Sequence, residues 1–214
     1  MNLTVEFKTP VQTSSFDWQL SQEINVSIDG GNVIAKAEIE LLTLNKHRDA
    51  LASYQQLDND DENTDWEIPL NLYFKGPNLS PELCDSLDIT PNIKKAQTHI
   101  MLEAISVLPD YKKQGIAQYL LQEIAKQYSK AQSFTVLSMP MHHFVDPEHC
   151  AEEHNKAYYE LLNLNNEQIT QAQLHTFFTK TGFIEYNVDA TLLAEPLNFD
   201  IFVASPQTIL KDNS

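Results

Sequence analysis

THIMLEAISVLPDYKKQGIA, residues 98–117, is the stretch on which the reading of this chain turns. An apolar run rich in β-branched residues begins at Thr98 and stops at Pro109, which predicts a strand. A short basic turn follows, and the chain enters a helix through Gly115. Ile116, Leu120, Leu121, Ile124 and Tyr128 recur at helical intervals and form one apolar face, while Gln118, Gln122, Glu123, Lys126 and Gln127 fall largely on the wet side. No Ser, Thr, Asp or Asn stands at Lys113 or Gln114 to cap the first amides, and Asp110 is the nearest group able to reach back. The helix entrance therefore offers unpaired N–H groups, the positive end of a helix dipole and the ammonium groups of Lys112 and Lys113. These suit a phosphate, and a glycine without Cβ lets an anion approach the main chain. Each such helix-end charge interaction is worth roughly 0.3 to 1 kcal/mol, so several amides and Lys113 must act together to hold a pyrophosphate. The same residues also make an ordinary strand-turn-helix with a basic turn, and local physics alone does not choose between the two.

Val107-Leu108-Pro109-Asp110-Tyr111-Lys112-Lys113-Gln114-Gly115-Ile116-Ala117 resembles motif A of the GNAT N-acetyltransferase superfamily. That motif runs Arg or Gln, two residues, Gly, one residue, then Gly or Ala; here Lys112, Gly115 and Ala117 hold those places. Further on, Leu174-His175-Thr176-Phe177-Phe178-Thr179-Lys180-Thr181-Gly182-Phe183 resembles motif B. The likeness runs from about Thr98 to Phe202 and is weak before that. It implies an α/β acyltransferase fold with a central mixed, mostly antiparallel sheet flanked by helices. It further implies one N-acetyltransferase-like domain over 1–214, with divergent strands and an insertion in 1–97 and a cofactor-binding core in 98–204.

The resemblance also implies roles. Lys112, Lys113, Gln114, Gly115, Ile116 and Ala117 would grip the pyrophosphate of acetyl-CoA, the co-substrate. Ile105, Ser106 and Val107 would lie along the pantetheine, with the main chain of Ile105 and Val107 pairing with it like an added strand. Phe178 would also touch the cofactor, but it replaces the tyrosine that protonates the departing thiolate in the family; Tyr111, Tyr158, Tyr159 or water would then serve. Glu103 lies where family members keep a general base, and His99, four residues earlier, would share that work. A carboxylate near its ordinary pKa of about 4.3 is a poor base unless burial raises it, at about 1.4 kcal/mol per unit. A strand glutamate facing water is the plain alternative for Glu103. The implied activity is transfer of an acetyl group to a primary amine, on a small molecule or a peptide. Without the tyrosine, an acyl-CoA-binding or sensor protein with little turnover is the second reading.

Composition bounds the function classes. A chain of 214 residues can bury about 70% of its unfolded surface in one core. The net charge of −16 opposes nucleic-acid binding and would attract a cationic substrate, although an acidic surface also serves solubility. No apolar run approaches the length of a membrane span, and MNLTVEFKTP lacks the pattern of a signal peptide, so a cytoplasmic protein without membrane contact is expected. The two cysteines, Cys84 and Cys150, are far apart and read as free thiols. The sequence allows a homodimer without fixing the oligomeric state.

Elsewhere, 23–28 and 33–44 alternate as two strands joined by Asp29-Gly30-Gly31-Asn32, a hairpin signal. Residues 47–57 suggest a short helix, and the acidic run 57–63 suggests an exposed loop, lacking the Gly and closing Glu of an EF-hand. Trp66 to Phe74 reads as a strand, and Gly76 to Pro91 as a loop with at most one helical turn. Residues 133–141 read as a buried strand which, by the resemblance, splays from the strand before it to admit the pantetheine. His142, His143, His149, Cys150 and His154 fit no zinc spacing, so no metal is expected. Residues 151–162 read as helix. Thr170 and Gln173 form a capping box for the next helix, and Gly182 is placed to end it in a left-handed conformation. Strands are expected at 183–186, 191–194 and 199–203.

Overall fold

The computed structural model describes residues 2–12, 16–29, 31–45, 66–76, 78–90, 95–141, 153–164, 169–188 and 197–211, with the backbone alone at 153–155. The hairpin read from the sequence is the start of its sheet. β2 (Gln19–Ile28) and β3 (Val33–Leu44) pair antiparallel, with Asp29 at φ 49 in the turn. β1 (Leu3–Phe7) adds an antiparallel edge along β2, Leu3 facing Ile28 and Phe7 facing Ile24. Its Leu-Thr-Val-Glu-Phe alternation is the period-2 signature of a half-buried strand.

On the other side of β3 lies β6 (Gln97–Val107), also antiparallel. β7 (Ser133–Ser138) follows β6 in parallel, and β9 (Asp200–Ala204) and β8 (Ile184–Glu185) complete a seven-stranded sheet in the order β1-β2-β3-β6-β7-β9-β8. The sheet is mixed and mostly antiparallel, and β6–β7 is its one parallel pair among the described residues. Residues 191–194, expected as a strand, lie outside the described residues, as do 47–63.

Alternation along the strands gives the sheet two apolar faces. Ile24, Val26, Ile39, Ile100, Leu102, Phe134 and Phe202 pack on one side with Leu120, Leu121 and Ile124 of α3 (Ile116–Gln127), Phe178 of α5 (Gln171–Lys180) and Ile209 of α6 (Pro206–Lys211). Trp18, Leu42, Leu44, Met101, Ile201 and Val203 face the other way, against Trp66, Leu70 and Tyr73 of helix α1 (Glu67–Tyr73), which Trp66 precedes, and Leu83 of α2 (Pro81–Ser86). A third cluster, Tyr158, Tyr159 and Leu162 of α4 (Glu153–Leu162), packs with Val33, Leu108 and Met141.

Two readings are corrected. Glu67–Tyr73 is helix α1, not strand, followed by the short ribbon β4 (Phe74–Lys75) with β5 (Asn78–Leu79). Trp66, Pro69, Leu70 and Tyr73 are its buried residues, at i, i+3, i+4 and i+7. Beyond it, the expected loop contains α2, opened by Pro81 and capped by Ser80, whose Oγ accepts from the Leu83 amide at 3.3 Å. At α5 the capping box is present as read, and Gly182 stands at φ 87.

Candidate functional site

A 3₁₀ turn, Pro109–Tyr111, carries the chain from β6 toward α3. Lys113 then adopts φ 61 and Gly115 φ 79, two left-handed residues among the four, Lys112 to Gly115, that precede the helix. Such reversals point successive amides into one concavity, the geometry that collects an anion. The Gln114 side chain folds back on the turn, its Nε2 donating to Asp110 O at 3.0 Å. Among the described residues no side chain caps α3, and a Cβ built on Gly115 would meet nothing within 4 Å. The helix entrance is therefore open on the side where Gly115 lacks a side chain. Gln122, expected on the wet face of α3, is instead buried, and its Nε2 has no hydrogen-bond partner among the described residues.

The strand that leads to this turn is irregular in two ways. Glu38 pairs with Ala104 and Ile39 with Leu102, so Glu103 is an extra residue, a β-bulge. The bulge resets the alternation: Ile100 and Leu102 before it and Ile105 and Val107 after it all pack on the α3 side. β6 also parts from β7. Their pairing covers only His99–Met101 against Ser133–Thr135, and β6 runs on to Val107 with no strand among the described residues beside it on that edge. The Leu108 amide donates to Ile34 O of β3 at 2.9 Å. Across that planar peptide the Val107 carbonyl points the opposite way, and strand alternation turns the N–H and C=O of Ile105 and Val107 toward the gap.

The remaining candidate side chains separate. His99 has 0% exposure; its Nδ1 lies 2.9 Å from Ser133 Oγ and its ring meets Phe74 edge-on. It ties β6 to β7 and has no surface with which to meet an acceptor amine. Glu103 is half-buried at the bulge, with Oε1 shielded from solvent. Phe178 is 2% exposed among Phe177, Phe183 and Phe202, so it is a core side chain. Lys112 is half-buried and Lys113 exposed at the helix entrance. Of the three tyrosines, Tyr111 packs on the α3 core, Tyr158 OH lies 3.0 Å from Ser106 Oγ, and Tyr159 OH donates to Glu38 Oε1 at 3.0 Å. Burial pushes the Tyr158 phenol well above its ordinary range. His142, His143, His149 and Cys150 lie outside the described residues, and so does the His154 side chain. Among the described residues no group of three or more His, Cys, Asp or Glu could hold a metal ion.

One cluster was missed in the sequence. Glu23 and Asn25 of β2, Lys36, Glu38 and Glu40 of β3 and Ser106 of β6 share the face opposite α3. In register, Glu23, Glu38 and Ala104 form one cross-strand row, and Asn25, Lys36 and Ser106 the next. Only the alternation of apolar residues in 23–28 and 33–44 could have signalled it, since it leaves these positions together on the second face.

No family model matches the chain, and no curated protein does. Solved structures give distant likenesses. A bacterial toxin aligns at 15% identity over 89% of this chain and 70% of its own, with a TM-score of 0.38. Arabidopsis thaliana NAA60 in complex with acetyl-CoA aligns at 12% identity over 94% of this chain and 96% of its own, with a TM-score of 0.34. The same protein with a bisubstrate analogue gives 11%, 94%, 96% and 0.32. The architecture rests on the chain's own strands and helices. No helix among the described residues is long and apolar enough to cross a membrane.

Proposed function

We propose that this chain has the GNAT fold and transfers an acetyl group from acetyl-CoA to a primary amine. The observation that carries the reading is the gap between β6 and β7 opening next to the uncapped entrance of α3. An extended ligand with an amide-bearing arm and a diphosphate fits both features: the arm along Ile105 and Val107, the diphosphate at the amides near Gly115 beside Lys112 and Lys113. The amine nitrogen attacks the thioester carbonyl, the C–S bond breaks and the thiolate takes a proton. Glu103, directly or through water, receives the proton that the amine gives up. Amides near Val107 polarise the carbonyl oxygen.

Isothermal titration with acetyl-CoA tests this. The wild type should bind, and Gly115→Val, which places a β-branched residue at positive φ, should bind at least about tenfold more weakly. No binding by the wild type, or equal affinity in the variant, overturns the reading. Phe178, sealed in the core and without a hydroxyl, favours a second reading, an acyl-CoA-binding protein with little turnover. Binding without thiol release across a panel of amines would select it.

A further inference from the structure

The seven-stranded sheet ends at β1, and among the described residues no strand lies outside it. Lys8 N donates to Glu23 O and Asp29 N to Asn2 O, both at 3.0 Å, so the even-numbered residues of β1 turn their main chain toward β2. Strand alternation then turns the N–H and C=O groups of Leu3, Val5 and Phe7 outward. The edge is held in place from the α3 side, where Gln22 Nε2 donates to Lys8 O and Tyr128 OH, at the end of α3, donates to Gln22 Oε1. Its side chains are sorted by face. Leu3, Val5 and Phe7 pack against the α3 core, while Thr4, Glu6 and Lys8 are exposed on the opposite face, with Lys8 Nζ 3.1 Å from Glu6 Oε2. Charged residues guard an edge by repelling a second strand. Glu6 and Lys8 are opposite in sign and two positions apart, so register decides whether they repel a copy of themselves or attract it.

We infer that two copies of this chain join edge to edge through β1, antiparallel about a two-fold axis at Phe7, with Glu6 of each copy against Lys8 of the other. Other registers lack that match. An axis at Val5 sets Glu6 against Thr4 and Lys8 against Asn2, and an axis at Glu6 sets the two Glu6 carboxylates directly opposite each other, which destabilises a sheet. At Phe7 the opposite charges meet twice, and the two Phe7 residues exchange both main-chain hydrogen bonds while their rings form a cross-strand pair on the apolar face. Val5 falls opposite Thr9 of the second copy, and Pro10, with no N–H, ends the ladder. The contact is locally neutral in a chain whose net charge of −16 otherwise drives copies apart. One pair of short strands is smaller than a standard interface of about 1,600 Å², so the association is weak and follows concentration. It is independent of the acetyl-transfer reading.

Sedimentation velocity of the full chain, from low micromolar to near-millimolar concentration, tests this. The wild type should pass from one copy to two. Glu6→Lys and Lys8→Glu should each weaken association at least about tenfold, and the variant carrying both should recover it to within about twofold, because the swap rebuilds the same two pairs. Val5→Pro removes an outward N–H and no bond to β2, so it too should weaken association. Unfolding midpoints, taken where the chain is single, check that every variant folds. Hydrogen exchange gives a second readout: the amides of Val5 and Phe7 should slow as the wild type is concentrated, and should not slow in Glu6→Lys. A chain that stays single at every concentration overturns the inference and leaves the edge to a strand of another protein. A double variant as weak as the single ones, or a dimer whose Val5 and Phe7 exchange ignores concentration, overturns it as well.

Discussion

Gly182 and Gly115 both hold positive φ, and the structure separates their reasons. A Cβ on Gly182 would stand 2.6 Å from Thr208 O, inside contact distance with backbone that cannot swing away, whereas one on Gly115 would meet open space. Gly182→Ala should therefore destabilise the protein by about 2 to 3 kcal/mol, from backbone strain and the clash with α6 together. A fall in the urea midpoint measures it, and an unchanged midpoint would refute the packing of α5 on α6. From the sequence alone the two glycines look alike, each at a helix boundary. What distinguishes them is a segment 26 residues further along the chain, at Thr208, which no local pattern reveals. His99 teaches the same lesson. Its residue type invites a proton-transfer role, but the decisive partners, Ser133 and Phe74, are remote in sequence and enclose it completely.

Elements whose punctuation is local were legible. The break at Pro109, the turn of Lys112 to Gly115 and the Thr170 to Gln173 box set the limits of β6, α3 and α5 through residues within a few positions of each boundary. Helix α1 was not. Trp66, Ile68, Leu70, Leu72 and Phe74 alternate in sequence as a strand would, and the helical set of Trp66, Pro69, Leu70 and Tyr73 became visible only from which side chains are covered. Pro69 was the available warning, because proline cannot donate to a ladder and sits easily in a first helical turn. The widened β6 edge yields its own prediction. Amides of Ile105 and Val107, turned toward the gap, should exchange faster than that of Leu108, which is bonded to Ile34. Saturating acetyl-CoA should slow Ile105 and Val107 at least about tenfold. Hydrogen exchange read by NMR checks this, and unchanged rates under saturation would exclude strand-like pairing by the ligand.

At the scale of the molecule, buried phenols govern the alkaline limit. Tyr73 of α1 lies 2.7 Å from Thr135 Oγ1 of β7, and burial raises its pKa far above the ordinary 10.0; Tyr158 is raised for the same reason. Above about pH 10 the unfolded chain releases protons that the folded chain keeps, so the unfolded state binds fewer and stability falls as pH rises. The stability these neutral phenols confer is complete below pH 10 and disappears as pH climbs toward their raised values. Urea midpoints should be flat from neutrality to about pH 10 and then decline, and Tyr73→Phe should shrink the decline while costing about 1 kcal/mol at neutral pH. A decline of equal steepness in the variant would deny Tyr73 that part. The join of β6 to β7 has a mechanical consequence as well. β3 grips β6 through ten residue pairs and β7 through none, while β6 and β7 meet through three. A twist applied across the sheet therefore loads that seam, where a blade of four strands meets a blade of three, before it loads the join of β3 to β6, and the shared core of Ile100, Phe134, Phe202 and Leu120 is what resists it.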